Sequence, residues 1–214
     1  EGIGDDLIPE YYRAVCTIAG LVAARRGDGR VVTVGIGGAQ GSGKSTIARM
    51  LAFLIREGLR LRSEVLSIDD FYLTRARRLQ LGEDIHPMLA VRGVPGTHDM
   101  ARLRRTIDEL AAGNSCSVPV FSKAEDDRLP TPRRVSPVDV LLLEGWCWGA
   151  TPATEAELSD PLNPLETDED IDGRWRHYVN QALAADDYQR CFDNDLRVFL
   201  AVPNMEAVFR WRLQ

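Results

Sequence analysis

The sequence predicts an α/β fold in which a mostly parallel sheet is flanked by helices on both faces. Three observations lead there. Short apolar runs at 31–37, 64–69, 138–143 and 196–202 alternate with segments of helical spacing, the pattern of parallel strands joined by crossover helices. The run Val138-Asp139-Val140-Leu141-Leu142-Leu143 is almost continuously apolar, as a strand covered on both faces requires. The first run leads directly into Gly38-Ala39-Gln40-Gly41-Ser42-Gly43-Lys44-Ser45, which satisfies the phosphate-loop signature G-x-x-x-x-G-K-[ST] at every fixed position.

Each element follows in chain order. Pro9 to Arg26 has helical spacing, with Tyr12, Val15, Cys16, Ala19 and Val22 on one side, and Gly27-Asp28-Gly29 stops it. The first strand is Val31 to Gly37. After the glycine-rich turn, Ile47, Met50, Leu51 and Leu54 form a helix stripe that runs out near Gly58, and Glu64 to Asp69 is a short second strand. Residues 70–96 read as irregular, with an arginine cluster at Arg75, Arg77 and Arg78. Thr97 is the expected N-cap of a helix from Asp99 to Ala112 that Gly113 closes. Ser117 to Phe121 is a brief apolar run, 126–137 a polar loop, and Val138 to Leu143 the buried strand that ends at Glu144-Gly145. A loop rich in tryptophan, proline and acid precedes a helix from Arg174 to Phe192, a last strand from Leu196 to Val202 and a helix beginning at Glu206. That helix carries Arg210 and Arg212 and reaches Gln214 without a stop signal, so the natural chain is expected to continue. Glu1 in place of Met likewise suggests trimming at the front. The 214 residues are expected to form a single domain, 1–214, with 70–137 as an excursion from it.

Composition narrows the function classes. The apolar runs are far shorter than the ~18 residues a membrane-spanning helix needs, and no signal-peptide pattern opens the chain, so a cytoplasmic protein with no membrane partner is expected. A net charge of −6 argues against nucleic acid as a partner, because phosphate backbones demand a basic face. Cys16, Cys116, Cys147 and Cys191 are scattered without a C-x-x-C pair, so neither a zinc site nor a disulfide framework is indicated. Of 26 basic residues only Lys44 and Lys123 are lysine. Arginine and lysine are not interchangeable where a compact ammonium is needed, and this singles out Lys123 beside the motif's own Lys44.

The motif carries the chemistry. A strand that ends in a glycine-rich turn and opens into a helix aims backbone N–H groups and the positive end of the helix dipole at one concavity, which suits a polyphosphate. The expected fold is therefore the P-loop NTPase fold, and the expected ATP-binding residues are Gly38, Ala39, Gln40, Gly41, Ser42, Gly43, Lys44, Ser45 and Thr46. Lys44 would reach the β and γ phosphates and the Ser45 hydroxyl would bind Mg²⁺. Phosphoryl transfer further needs metal ligands, charge compensation and an oriented nucleophile. Glu144, at the end of the most apolar strand, is placed to hold Mg²⁺ or its water. Asp69, at the end of the second strand, is placed to take a proton from an acceptor hydroxyl. It is favoured over Asp70 because adjacent strand residues point to opposite faces.

Several phrases together resemble a known family. Asp69-Asp70-Phe71-Tyr72 after the second strand and Glu144-Gly145 after the later one are similar to the uridine kinase, phosphoribulokinase and pantothenate kinase group of small-molecule kinases. Within that group, six phrases resemble the plant-type D-glycerate 3-kinase family: 67–74, His86-Pro87, 92–99 (Arg92-Gly93-Val94-Pro95-Gly96-Thr97-His98-Asp99), Phe121-Ser122-Lys123 with Asp127-Arg128, Glu144-Gly145-Trp146-Cys147, and Gly173-Arg174-Trp175-Arg176. The resemblance implies transfer of the ATP γ-phosphate to D-glycerate, giving 3-phosphoglycerate. It makes Asp69, Tyr72, Arg92, Thr97, His98, Lys123 and Arg128 candidates for the acceptor site, and Arg210 and Arg212 candidates for a lid. Rival expectations are a nucleoside, pantothenate or sugar-phosphate kinase, or a non-catalytic nucleotide-binding regulatory module.

Asp168-Glu169-Asp170-Ile171-Asp172-Gly173 copies half of a calcium loop, but Val179 stands where a bidentate glutamate is required, so a solvated acidic loop is expected. Trp146 and Trp148 could stack a base or finish a core. His98 could serve as a base or as a hydrogen-bonding loop residue. No N-K-x-D phrase of a GTPase is present.

Overall fold

A computed structural model describes residues 8–27 and 29–212, the backbone alone for Ile8 and for 210–212. Helix α1 is Ile8–Arg25, strand β1 Val32–Gly38, α2 Lys44–Leu59 and β2 Ser63–Ser67, followed by a 3₁₀ turn at Ile68–Phe71. Then come α3 (Arg75–Asp84), a second 3₁₀ turn (Pro87–Ala90), α4 (Met100–Ala111), β3 (Cys116–Val118), β4 (Phe121–Ser122), β5 (Asp127–Arg128) and β6 (Arg133–Val135). Strand β7 (Val140–Gly145), short helices α5 (Glu155–Leu158) and α6 (Pro164–Glu169), α7 (Arg174–Ala184), α8 (Asp186–Phe192), β8 (Leu196–Leu200) and α9 (Met205–Arg212) complete the described chain.

Strands β2, β7, β1 and β8 lie in that order in a parallel sheet. Alternation along β7 explains why it reads as continuously apolar, since its neighbours cover both faces. Val140 and Leu142 pack with Val34 and Ile36 of β1 against Val15 and Val22 of α1 and Leu51 and Ile55 of α2. Leu141 and Leu143 pack with Leu66 of β2 against Leu103 and Leu110 of α4 and Tyr188 and Phe192 of α8. Helices therefore flank the sheet on both sides. Pairing sets Glu144 beside both Ile36 and Ser67, so the carboxyl ends of β1, β2 and β7 are level and the phosphate loop, the 3₁₀ turn and Glu144 open on one edge.

Gly35 in β1 allows close approach from one face. A Cβ there would stand 2.3 Å from Asn194 Oδ1 and 2.4 Å from Trp148 Nε1, two atoms that hydrogen-bond to each other at 2.8 Å.

Several elements differ from expectation. Residues 70–96 are not irregular: α3 forms there, and its buried face is Arg78 and Gly82 rather than an apolar stripe, which is why periodicity misses it. The polar loop 126–137 contains β5 and β6, which pair antiparallel with β4 and β3. The helix 174–192 is two, broken at Ala185, whose extended backbone lets Asp186 and Asp187 occupy a new N-terminal turn, where the dipole favours acids. On α1 the buried face is Val15, Ile18, Ala19 and Val22, and Tyr12 is exposed. The N-cap of α4 is Asp99, which accepts the Arg102 N–H at 3.1 Å. Thr97 instead bonds Gly93 N and Val94 O within its loop.

The acidic segment 168–173 is not simply solvated. Asp170 is fully buried, accepts the N–H groups of Trp175 and Arg176 at the start of α7, and pairs with the Arg176 guanidinium at 3.0 Å. Burial of a carboxylate demands such partners. The side chains of the proposed lid arginines, Arg210 and Arg212, and Gln214 lie outside the described residues. Among the described residues no helix is long and apolar enough to cross a membrane.

Candidate active site

A cavity of about 540 Å³ opens at the level strand ends, lined by residues of the phosphate loop, the 3₁₀ turn, β4 and its turn, and the end of β7. Gln40, Gly41, Lys44 and Ser45 come from the loop and the first turn of α2. Gly41 and Gly43 have φ of 80° and 88°, a left-handed conformation that glycine adopts without strain. The N-terminus of α2 has Gly43 as its cap, with no side-chain hydrogen bond and no acid in its first turn. By contrast α3, α4, α5 and α6 are capped by the side chains of Thr74, Asp99, Thr154 and Asn163. The first-turn amides of α2 are left to an anion.

Lys44 is buried, and its Nζ donates to the Ala39 carbonyl at 2.7 Å. Burial pulls its pKa down, while Glu144 and Asp69 act in the opposite sense. Ser45 Oγ donates to Glu144 Oε1 at 3.4 Å. A hydroxyl and a carboxylate at the mouth of an anion site are hard oxygen donors of the kind Mg²⁺ takes when it also holds phosphate oxygens. The donor set thus fits that ion.

Asp69 sits in the 3₁₀ turn rather than at a strand end, with its N–H donating to Ser67 Oγ at 3.3 Å. Strand alternation therefore does not separate the two aspartates, and both line the cavity. Their surroundings separate them instead. Asp69 Oδ2 pairs with Lys123 Nζ at 2.8 Å. Asp70 accepts the Phe121 N–H at 3.3 Å, and burial pushes its pKa up.

The other expected acceptor residues divide. Lys123 lines the cavity. Tyr72 and His98 are buried behind Asp69, paired as an isolated antiparallel bridge and stacked with ring centroids 4.4 Å apart. Burial, followed by the charge of Asp69, raises the Tyr72 pKa, and burial pushes His98 down to about 3. His98 is thus neutral and serves the loop's hydrogen bonding. Arg128 is spent on Tyr72 O, Phe71 O and the Asp99 carboxylate. Arg92 pairs with Asp126 and lies over the Phe121 ring. Trp148 is a core residue, whereas Trp146 lines the cavity and donates to Gly93 O at 2.9 Å. Cys147 is buried, which pushes its thiol up to about 12.

Sequence reasoning missed Arg49 and Ser67 on the cavity. Arg49 had a signal: it stands one helical turn after Ser45, so the two share a face of α2.

The sequence profile described as the phosphoribulokinase / uridine kinase family matches residues 33–177, which include the phosphate loop, both aspartates, Lys123 and Glu144. The chain belongs to that family. Among its relatives, an uncharacterized kinase, mug58, of Schizosaccharomyces pombe is 32% identical over 202 residues, covering 87% of this chain and 70% of that protein. The chloroplastic D-glycerate 3-kinase of Arabidopsis thaliana is 29% identical over 199 residues, 86% of this chain. The chain spans only 40% of the length of that plant kinase. Among solved structures, a D-glycerate 3-kinase from Cryptococcus neoformans var. grubii matches with a TM-score of 0.77 at 27% identity, over 94% of this chain and 77% of that one. P-loop kinases are the fold's neighbours.

Proposed function

We propose that this chain is an ATP-dependent kinase of small molecules and that its acceptor is D-glycerate, phosphorylated to 3-phosphoglycerate. The observation that carries the reading is the convergence of an uncapped helix N-terminus, Lys44, the Ser45–Glu144 pair and the Asp69–Lys123 pair on one cavity. Similarity to two D-glycerate 3-kinases supports the acceptor.

In this reading Gly38 through Thr46 cradle the ATP phosphates, Lys44 moves from Ala39 O to the β and γ phosphates, and Ser45 with Glu144 holds Mg²⁺. The ion would neutralise charge on the transferring phosphoryl group. Asp69 takes the acceptor proton and Lys123 meets the acceptor's carboxylate. Tyr72, His98, Arg92, Thr97 and Arg128 act indirectly, as the scaffold that fixes the 3₁₀ turn and the hairpin beside it. Residues 70–137 are an acceptor-side excursion from a single kinase domain. Four free cysteines, three of them buried, suit the reducing cytoplasm proposed as its compartment.

An ADP-release screen with glycerate, pantothenate, uridine and ribulose 5-phosphate tests it. Glycerate is expected to give the highest kcat/KM, with 3-phosphoglycerate as product. Turnover of another acceptor with glycerate silent would overturn the acceptor, and ATP binding without turnover on any acceptor would overturn the kinase.

A further inference from the structure

We propose that Ser67 is a positioning residue that ties the metal-binding arm of the site to its base: its one hydroxyl caps the turn that carries Asp69 and gives its proton to the Glu144 carboxylate, directly or through one water. The inference deepens the kinase reading above and rests on its assignment of Mg²⁺ to Ser45 and Glu144.

Strand alternation puts the side chains concerned on one face of the sheet. Ser63 and Val65 point from β2 towards α2, where the Ser63 hydroxyl donates to Ala52 O at 3.0 Å and Val65 packs on the cluster formed with α1 and α2. Ser67 continues that face. On β7, Val140 and Leu142 join the same cluster, and Glu144 continues their face. Ser67 and Glu144 are partners in the β2–β7 register, so their backbones stand about 4.8 Å apart. The helix over this face begins at Lys44 and Ser45. Ser45, Ser67, Asp69 and Glu144 accordingly line one cavity.

The turn that follows Ser67 is seated firmly. Ser67 Oγ is its N-cap and accepts the Asp69 N–H at 3.3 Å. Ile68 and Phe71 are fully buried. A Cβ at Gly145 would stand 2.6 Å from Ile68 Cγ2, so the glycine after Glu144 is what lets the turn press against the end of β7. The two elements that carry the metal support and the base are thus in direct contact beside Ser67.

The chemistry of a hydroxyl suits this junction. The Asp69 N–H occupies one lone pair and leaves the serine proton to be given away, and among the described residues no hydrogen bond takes it. Glu144, which takes the Ser45 proton on Oε1, is the acid next to it in the register. A carboxylate in place of Ser67 would add a third negative charge to those of Asp69 and Glu144, and an alanine would neither cap nor donate. Both carboxylates draw on Lys44. Once Lys44 turns to phosphate, the Ser67 proton steadies Glu144 while its lone pair keeps the Asp69 carboxylate turned to Lys123.

The test is a double-mutant cycle of Ser67→Ala and Glu144→Gln. It is read by calorimetric titration of Mg²⁺ into the complex with a non-hydrolysable ATP analogue, and by kcat with D-glycerate. Ser67→Ala is expected to weaken Mg²⁺ about 10-fold, the scale for a residue behind a metal ligand, and to lower kcat as well. In the Glu144→Gln background the same substitution is expected to change Mg²⁺ affinity by less than about 3-fold. Ser67→Thr, which keeps the hydroxyl, is expected to recover most of both losses. Circular dichroism shows whether the variants are folded, and Ser67→Cys, close in volume and a weaker donor, replaces the alanine variant if that one is not. A serine that only caps the turn would lower kcat and leave Mg²⁺ affinity untouched; that result, or Mg²⁺ losses that simply add in the double variant, overturns the inference. Coupled Mg²⁺ losses in a protein silent on glycerate leave it standing and remove the acceptor. A wild-type nucleotide complex that binds no Mg²⁺ overturns the metal assignment and the inference together.

Discussion

Tyr188 holds His98 and its loop through a single hydroxyl. The Tyr188 hydroxyl accepts the Gly96 N–H at 2.9 Å and stands 2.8 Å from Nδ1 of His98. One hydroxyl thus holds two residues of the 92–99 loop at once. His98 Nε2 is buried and has no partner among the described residues. A helix at one end of the chain, α8, thereby holds the loop that backs Asp69.

The same pair makes stability depend on pH. Burial pushes His98 from 6.5 down to about 3, so between those values the unfolded chain binds a proton that the native state does not. Stability contributed by neutral His98 is complete above pH 6.5 and is lost as pH falls towards 3, at up to about 1.4 kcal/mol per unit. His98→Gln is expected to flatten the decline of urea-unfolding free energy between pH 6.5 and 4, whatever its effect at neutral pH. An unaltered slope would refute the assignment.

Asp69→Asn should lower kcat by about 10²- to 10⁴-fold while leaving ATP affinity within a few-fold of wild type. Asp70→Asn should cost far less rate, since its carboxylate supports the Phe121 N–H rather than facing Lys123. Steady-state kinetics with direct ATP titration separates the two, and equal losses would remove the distinction.

Glu144→Gln keeps the shape of the side chain and removes its charge beside Ser45. The Mg²⁺ concentration for half-maximal rate should rise about 10-fold or more at saturating nucleotide. A Mg²⁺ titration that superimposes on wild type would rule out Glu144 as a ligand or a support of the ion.

Arg78→Met leaves the Leu73, Ala90 and Asp126 carbonyls and the Asp126 carboxylate without their buried partner. The expected cost is about 3–5 kcal/mol of stability by denaturant unfolding. Below the lowered melting point, KM for the acceptor should rise more than the Kd for ATP, because the hairpin that loses its brace carries Lys123 and not the phosphate loop.

Much of the sheet was legible because its signals are local. Val138 to Leu143 alternates between two covered faces, so every position is apolar except Asp139, which instead caps the strand's start by accepting from Arg62 and Arg26. The phosphate loop was legible because glycine spacing and a following helix define it without reference to the rest of the chain. By contrast α3 was invisible because it buries Arg78 and Gly82, and Asp170 read as solvated because its partner Arg176 comes from the next helix.

The candidate site shows the same division. The sequence alone determined the phosphate loop, the strand that carries Glu144 and the rarity of lysine, since each is a matter of residue type and spacing. Only the tertiary structure decided which aspartate meets Lys123, that Arg128 and Arg92 brace the fold rather than line the cavity, and that Arg49 joins the rim. Those outcomes depend on long-range packing. A turn between two short strands is set against a 3₁₀ turn some fifty residues earlier by buried charges whose partners no local pattern announces.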